Sequence, residues 1–135
     1  MRLSVYVLLC LAAALTIIQA QQLSPSSITC EEAPGPTIIK DDCQKSLRQF
    51  PTEANVISWE GGHNFRSCGT CNITITEPSL PYTALRRTAY YKYVLTAMTH
   101  GLDKCMGKFT NATIGTSGRI SVLLAPGNGE KCRKH

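Results

Sequence analysis

The chain has 135 residues, with 14 lysines and arginines against 9 aspartates and glutamates and 43% hydrophobic residues. This length suits one domain and leaves no room for a second core of ordinary size. The net charge of +5 is modest, and its basic residues are scattered apart from the tail at residues 131–135, which argues against a nucleic-acid-binding protein.

The first twenty residues have the features of a secretory signal peptide. Arg2 precedes an apolar run over residues 5–18 that is too short to span a bilayer, and Ala20 stands before a polar stretch. We expect cleavage after Ala20, which makes residues 1–20 the signal peptide and residues 21–135 a single secreted domain. No later apolar run reaches membrane length, so we expect an extracellular protein without a transmembrane anchor.

Cleavage would remove Cys10 and leave six cysteines. An even number of cysteines in a small exported protein predicts three disulfides, and fifteen pairings remain open. The six cysteines are Cys30, Cys43, Cys68, Cys71, Cys105 and Cys132.

The first half of the mature chain predicts a helix between strands. Ile39, Cys43, Leu47 and Phe50 recur at helical spacing from residue 37 onward, and Pro51 ends the helix. A cysteine in this apolar stripe indicates that one disulfide ties the helix to the sheet. The flanking strands are predicted at residues 27–30 and 56–60, with a turn at residues 61–62.

The clearest strand lies in the middle of the chain. Residues 71–76 alternate, with Cys71, Ile73 and Ile75 on one face and polar residues on the other. Asn72 begins a glycosylation sequon on the polar face, and Asn111 begins a second one in a polar connection. We expect at least one of the two to carry a glycan.

The second half predicts a second helix and a last strand. Pro78 and Pro81 are expected to open the helix, whose apolar stripe runs from Tyr91 to Cys105. After an extended passage through residues 109–114 and a turn at residues 116–118, residues 119–124 form an apolar, β-branched strand with a central position in its sheet.

This element order defines the expected fold. Strand, helix, strand, strand, helix, strand predicts an α+β protein with the split βαβ, or ferredoxin-like, arrangement. Its sheet would have four antiparallel strands, with both helices packed on one face.

Redox and metal chemistry are not predicted. Cys68 and Cys71 have dithiol spacing, but a redox site needs a helix after the first cysteine, and these residues alternate as a strand. The chain has one CxxC motif, and His63, His100 and His135 show no paired ligand spacing for zinc. We expect no metal and no cofactor.

A possible catalytic group lies near residue 60. Glu60 and His63 could form an acid/base pair with Arg66 binding phosphate, as in small secreted ribonucleases. The alternative, an exposed and solvated hairpin tip, is favoured.

Two further motifs could each have a functional role, but a structural interpretation is favoured for both. Tyrosines 82, 90, 91 and 93 near basic residues 86, 87 and 92 could form a stacking surface, but half-buried rim tyrosines are favoured. Arg86-Arg87 resembles a dibasic site of kexin-type proteases, and a helix there would prevent cleavage after Arg87.

Four motifs stand out together: Asp42-Cys43, Gly69-Thr70-Cys71, Leu102-Asp103-Lys104-Cys105 and the glycine-rich, cysteine-closed end after the last strand. These motifs resemble those of small secreted cysteine-rich proteins of fungi. The resemblance is to the killer-toxin-like effectors, which share the αβ-sandwich fold of the smut killer toxin α subunit, and more weakly to the fungal necrosis-inducing effector family.

The sequence therefore predicts a secreted, non-enzymatic, disulfide-rich binding protein. The resemblance implies an effector or toxin-like role outside the producing cell, on an extracellular or host target such as a protein or cell-surface component. We expect a monomer that does not bind nucleic acid. The alternative is a small secreted hydrolase of the ribonuclease type.

Overall fold

The computed structural model describes residue 25 and residues 27–32, 35–60, 62–76, 86–115 and 120–133. The expected signal peptide, Pro78, Pro81, Tyr82 and the expected turn at residues 116–118 lie outside these ranges. The described residues form ten elements. In chain order these are β1 (Ser27–Glu31), α1 (Lys40–Leu47), β2 (Thr52–Glu53), β3 (Val56–Glu60), β4 (Phe65–Cys68), β5 (Cys71–Thr76), β6 (Arg86–Tyr90), α2 (Tyr91–Cys105), β7 (Phe109–Ile114) and β8 (Ile120–Pro126).

The strands form two antiparallel sheets. The main sheet has the order β1-β7-β8-β5-β4, and the small sheet has the order β2-β3-β6. β8 is the middle strand of the main sheet, as its apolar, β-branched sequence predicts, and it places Val122 opposite Ala112 and Ile75. The small sheet begins with a two-residue turn, in which Ala54 and Asn55 both have positive φ.

Both helices pack on one face of the main sheet. β5 buries Cys71, Ile73 and Ile75 completely and leaves the residues between them half-exposed, as the alternation predicts. Leu47 of α1 and Met98 of α2 are fully buried in the same hydrophobic cluster. Each such side chain contributes about 2–3 kcal/mol by leaving water, so the helix–sheet contact supplies much of the core.

The α+β class agrees with the prediction, but the four-stranded split βαβ sheet is not confirmed. The main sheet has five strands, and Val56–Glu60 lies in the second sheet. The main sheet also contains two strands that the sequence does not predict, Phe65–Cys68 and Phe109–Ile114. For the second of these the sequence predicts only an extended passage. Its core-facing residues are Thr110, Ala112 and Ile114, so its apolar alternation is weak.

The helix boundaries also differ from those expected. Residues 86–90 form strand β6, paired with β3, and α2 begins only at Tyr91. The dibasic pair at residues 86–87 therefore lies in a strand, and the expectation that a helix shields it is wrong. α1 is shorter than the predicted span from residue 37 to Phe50, because Ile39 has extended backbone and residues 48–50 form a turn.

Three disulfides join the six cysteines as Cys30–Cys105, Cys43–Cys71 and Cys68–Cys132. The first fastens α2 to β1, and the second fastens α1 to β5, as the cysteine in the helical stripe predicts. The third ties the C-terminal segment to β4. The paired residues are 75, 28 and 64 positions apart, and each bridge contributes about 3.5–4.5 kcal/mol by restricting the unfolded chain.

A polar cluster joins α1 to the turn between β4 and β5. Oδ2 of Asp42 accepts hydrogen bonds from the Thr70 N–H at 2.9 Å and from the Thr70 hydroxyl at 2.8 Å, and the hydroxyl accepts from the Ile39 N–H at 2.9 Å. Gly69 has φ +55, and a Cβ there would lie 2.5 Å from Asp42 Oδ2. We call Asp42, Gly69 and Thr70 the Asp42–Thr70 cluster. Two of the motifs that carry the family resemblance meet here.

Candidate functional site

The chain passes from the small sheet to the main sheet through the segment after Glu60. The His63 N–H donates to the Glu60 carbonyl at 2.9 Å, and Gly62 has φ +89, a conformation that favours glycine. Because β3 and β4 belong to different sheets, this segment is a crossover and not the hairpin tip that the sequence suggests. It borders a groove of about 470 Å³.

The groove brings together the three residues that the sequence suggests as a possible catalytic group. Glu60, His63 and Arg66 line it, with Glu60 and His63 exposed and Arg66 half-buried. Trp59, which is 4% exposed, contributes an apolar wall that the sequence analysis does not assign to the site. Pro51 and Ser58 complete the described lining. We call this the Arg66 groove.

Arg66 is held in place by three main-chain carbonyls. Its Nε donates to the Gln49 carbonyl at 3.4 Å, and its Nη1 donates to the carbonyls of His63 at 3.0 Å and Phe65 at 2.7 Å. Its Cζ lies 4.6 Å from the centroid of the buried Phe50 ring, within cation–π range. The guanidinium is therefore fixed both by residues that precede β2 and by residues next to Arg66 in the chain.

The positive charge of Arg66 is partly removed from water. Burial lowers the pKa of the Arg66 guanidinium from its ordinary value, because the protein solvates the charged form less well than water does. The ion pairs found within the described ranges, Lys40–Asp103 and Lys45–Asp41, do not involve Arg66. A partly desolvated cation without a carboxylate partner favours an anionic ligand.

A second groove, of about 330 Å³, is apolar. It lies where α2 begins, and its lining includes Val56, Ala89, Ile114 and Ile120. Tyr90 is 61% exposed at its edge and packs edge-on against Tyr93, with ring centroids 5.5 Å apart. Tyr91 and Tyr93 are half-buried against the core, which agrees with rim tyrosines. No basic residue belongs to the described lining of this groove.

The two cysteines of the CxxC motif form structural disulfides with other parts of the chain. Cys68 and Cys71 face each other across the β4–β5 hairpin and bridge to different partners, Cys132 and Cys43. Within the described part of the chain, no group of three histidines, cysteines or acidic residues could hold a metal ion. None of the described helices is both long and apolar enough to cross a membrane.

Both sequon asparagines lie on the face of the main sheet that points away from the helices. Asn72 is on β5, where its Nδ2 donates to the Thr74 hydroxyl at 3.2 Å, and Asn111 is on β7. Each is half-exposed. Asn111 therefore lies in a strand, whereas the sequence suggests a connection.

Comparison of the chain with protein-family models, curated proteins and solved structures found no match. The resemblance to fungal effectors therefore stays a prediction.

Proposed function

We propose that this chain is a small secreted, disulfide-rich protein that acts outside the producing cell by binding a target. The observation that carries this proposal is the disulfide framework, in which all cysteines after the expected cleavage site are paired. Disulfides persist in oxidising compartments and compensate for the small cores of exported domains. The target class is an extracellular or host component, such as a protein or a cell surface.

The resemblance to fungal killer-toxin-like effectors supports an effector or toxin-like role in the apoplast or against competing cells. Asp42-Cys43 and Gly69-Thr70-Cys71 meet at the Asp42–Thr70 cluster, where one disulfide and two hydrogen bonds join α1 to the main sheet. These motifs therefore support a fold shared with those effectors, and the target would bind to other surfaces.

The sequons support a glycoprotein whose target binds elsewhere than at the outer sheet face. Asn72 and Asn111 lie on strands separated only by β8. Two glycans at these positions would cover much of that face. The Arg66 groove and the apolar groove would remain accessible.

The intact mass of the secreted product tests export and processing. We expect one chain that begins near Gln21, is six hydrogens lighter than its reduced form, and loses mass when glycans are removed. Retention of residues 1–20 or the presence of free thiols would contradict the proposal. Two fragments that separate on reduction after Arg87 would show processing that the single-domain proposal does not include.

Application of the purified protein from outside tests its action. We expect the oxidised protein to cause a response, such as cell death or growth inhibition, in host tissue or in competing cells. The same protein, reduced and alkylated, is the matched control, because it keeps the sequence and loses the fold. Equal responses to both forms would contradict a folded binding protein.

A second candidate function is RNA hydrolysis in the Arg66 groove. The observation that favours it is that Glu60, His63 and Arg66 line one groove. Glu60 and His63 would move protons to and from the reacting oxygens, and Arg66 would stabilise charge on the phosphate. If this is correct, the intact protein cleaves RNA and His63→Ala abolishes cleavage while thermal unfolding stays unchanged. Absence of cleavage by the intact protein would exclude this candidate.

A further inference from the structure

We propose that the Arg66 groove is a binding site for a phosphate group, with the terminal nitrogen Nη2 of Arg66 as its anchor. The site goes beyond the binding-protein proposal, because it does not depend on secretion. It also does not require catalysis.

Among the described residues, the hydrogen bonds of Arg66 occupy two of its three guanidinium nitrogens and leave the third for a ligand. A guanidinium has five N–H groups in a fixed plane. Nε uses its one N–H on Gln49, and Nη1 uses its two on His63 and Phe65. Nη2 has no hydrogen-bond partner among the described residues, and Arg66 lines the groove. The two N–H groups of Nη2 are therefore available to donate hydrogen bonds to a ligand in the groove.

This arrangement favours a tetrahedral oxyanion over a planar carboxylate. A carboxylate binds arginine best through two parallel N–H groups on neighbouring nitrogens. Both such edges of Arg66 are occupied, because Nε and Nη1 donate to carbonyls. A phosphate presents oxygens in several directions, so it can accept from Nη2 and also face His63, which lines the same groove.

Replacement of Glu60 predicts the direction in which the affinity for an anion should change. Its exposed carboxylate lines the groove, so it repels an anion bound at Arg66. Glu53 is another exposed carboxylate on β2, in the same sheet, and does not belong to the described lining. Glu60→Gln and Glu53→Gln raise the net charge equally, but only Glu60→Gln removes a charge from the described lining of the groove.

Titration with phosphate measures the affinity of the site. Trp59 is the one tryptophan of the chain and lines the groove, so its indole N–H resonance reports binding. Two probes are used at constant ionic strength: inorganic phosphate and a 2′-O-methyl uridine tetranucleotide, which cannot be cleaved at its ribose. This choice separates binding from the hydrolysis candidate, whose failure would leave the titration result intact.

We expect saturable binding of inorganic phosphate, with a dissociation constant of about 1 mM or weaker for so few contacts. Glu60→Gln should tighten binding about twofold to fourfold, the effect of one screened charge at groove distances. Arg66→Lys should weaken it about tenfold, because a lysine cannot keep the carbonyl contacts and also reach the ligand. Tighter binding of the tetranucleotide than of phosphate would identify a phosphodiester as the ligand, and the reverse order would identify free phosphate.

The proposal is overturned if neither probe gives a saturable shift of the Trp59 indole. It is also overturned if Glu60→Gln and Glu53→Gln change the affinity equally, since the effect would then be one of net charge. This comparison remains available if Arg66→Lys fails to fold, because the side chain of Glu60 is exposed.

Discussion

Replacement of Asp42 by alanine should destabilise the protein more than the same change at the neighbouring Asp41. Both carboxylates lie in the first turn of α1. Asp42 accepts two hydrogen bonds from Thr70, whereas Asp41 makes an exposed ion pair with Lys45 at 2.8 Å. Asp41→Ala is therefore a matched control for the loss of one negative charge at this helix end.

The magnitude follows from the contacts. Hydrogen bonds to a charged group contribute about 1.5 kcal/mol or more when buried, and Asp42 is half-buried, so we expect Asp42→Ala to cost about 2 kcal/mol. The Asp41–Lys45 ion pair is exposed and screened by solvent, so Asp41→Ala should cost little. For a chain of this size the difference corresponds to about 5 °C in the midpoint of thermal unfolding.

The pH dependence gives the prediction a second readout. The Thr70 hydrogen bonds lower the pKa of Asp42 from its ordinary value of 3.8. The stabilising contribution of Asp42 is therefore complete above pH 3.8 and is lost as the pH falls through the lower pKa of the folded state. The difference in unfolding free energy between wild type and Asp42→Ala should shrink over that range.

Urea unfolding of the oxidised proteins, followed by Trp59 fluorescence, measures these differences. The series runs from neutral pH down to about pH 2, so that it covers the titration of an ordinary and a lowered carboxyl group. An Asp42→Ala variant no less stable than Asp41→Ala would refute the reasoning. A difference from wild type that does not change with pH would refute the role of the ionised carboxylate.

Three other substitutions have expected effects on stability. Gly101→Ala would place a Cβ 2.5 Å from Cγ2 of the fully buried Thr110. The variant should therefore lose about 1–2 kcal/mol of unfolding free energy even after the gain in helix propensity. A higher thermal midpoint would contradict this. Replacing both Cys43 and Cys71 by alanine opens a cross-link between residues 28 positions apart and should lower the unfolding free energy by at least about 3.5 kcal/mol in urea. Ala54→Gly should raise the thermal midpoint, since φ is +51 there and the left-handed conformation costs alanine about 1 kcal/mol; an unchanged midpoint would count against this explanation.

The sequence predicted the elements whose pattern is strong. Strand β5 alternates without exception between buried and half-exposed residues, and the apolar stripe of α2 spans four turns. β6 was not predicted because Ala89 is the only buried residue among its described side chains. β7 was not predicted as a strand because it buries Thr110 and Ala112, which carry little hydrophobic signal.

The candidate site could be predicted only in part. Glu60, His63 and Arg66 are close in sequence, so their proximity in space is unsurprising. Two of the contacts that fix Arg66 come from Gln49 and Phe50, more than fifteen residues away. Gln49 and Phe50 lie between α1 and β2, so these contacts depend on how that connection packs against β4, which no local pattern in the sequence specifies. The choice among the cysteine pairings depends on the same long-range geometry.

The hairpin that carries Cys68 and Cys71 has a consequence for oxidative folding. The two cysteines are partners across the β4–β5 turn, so a local bond between them closes the shortest loop and is expected to form early. The native partner of Cys68 is Cys132, 64 residues further along, so the correct bond cannot form until the chain through Cys132 has been made. Early oxidation therefore favours a bond that must later be exchanged by thiolate attack. The yield of the folded protein should thus depend on disulfide isomerase activity in the host that makes it.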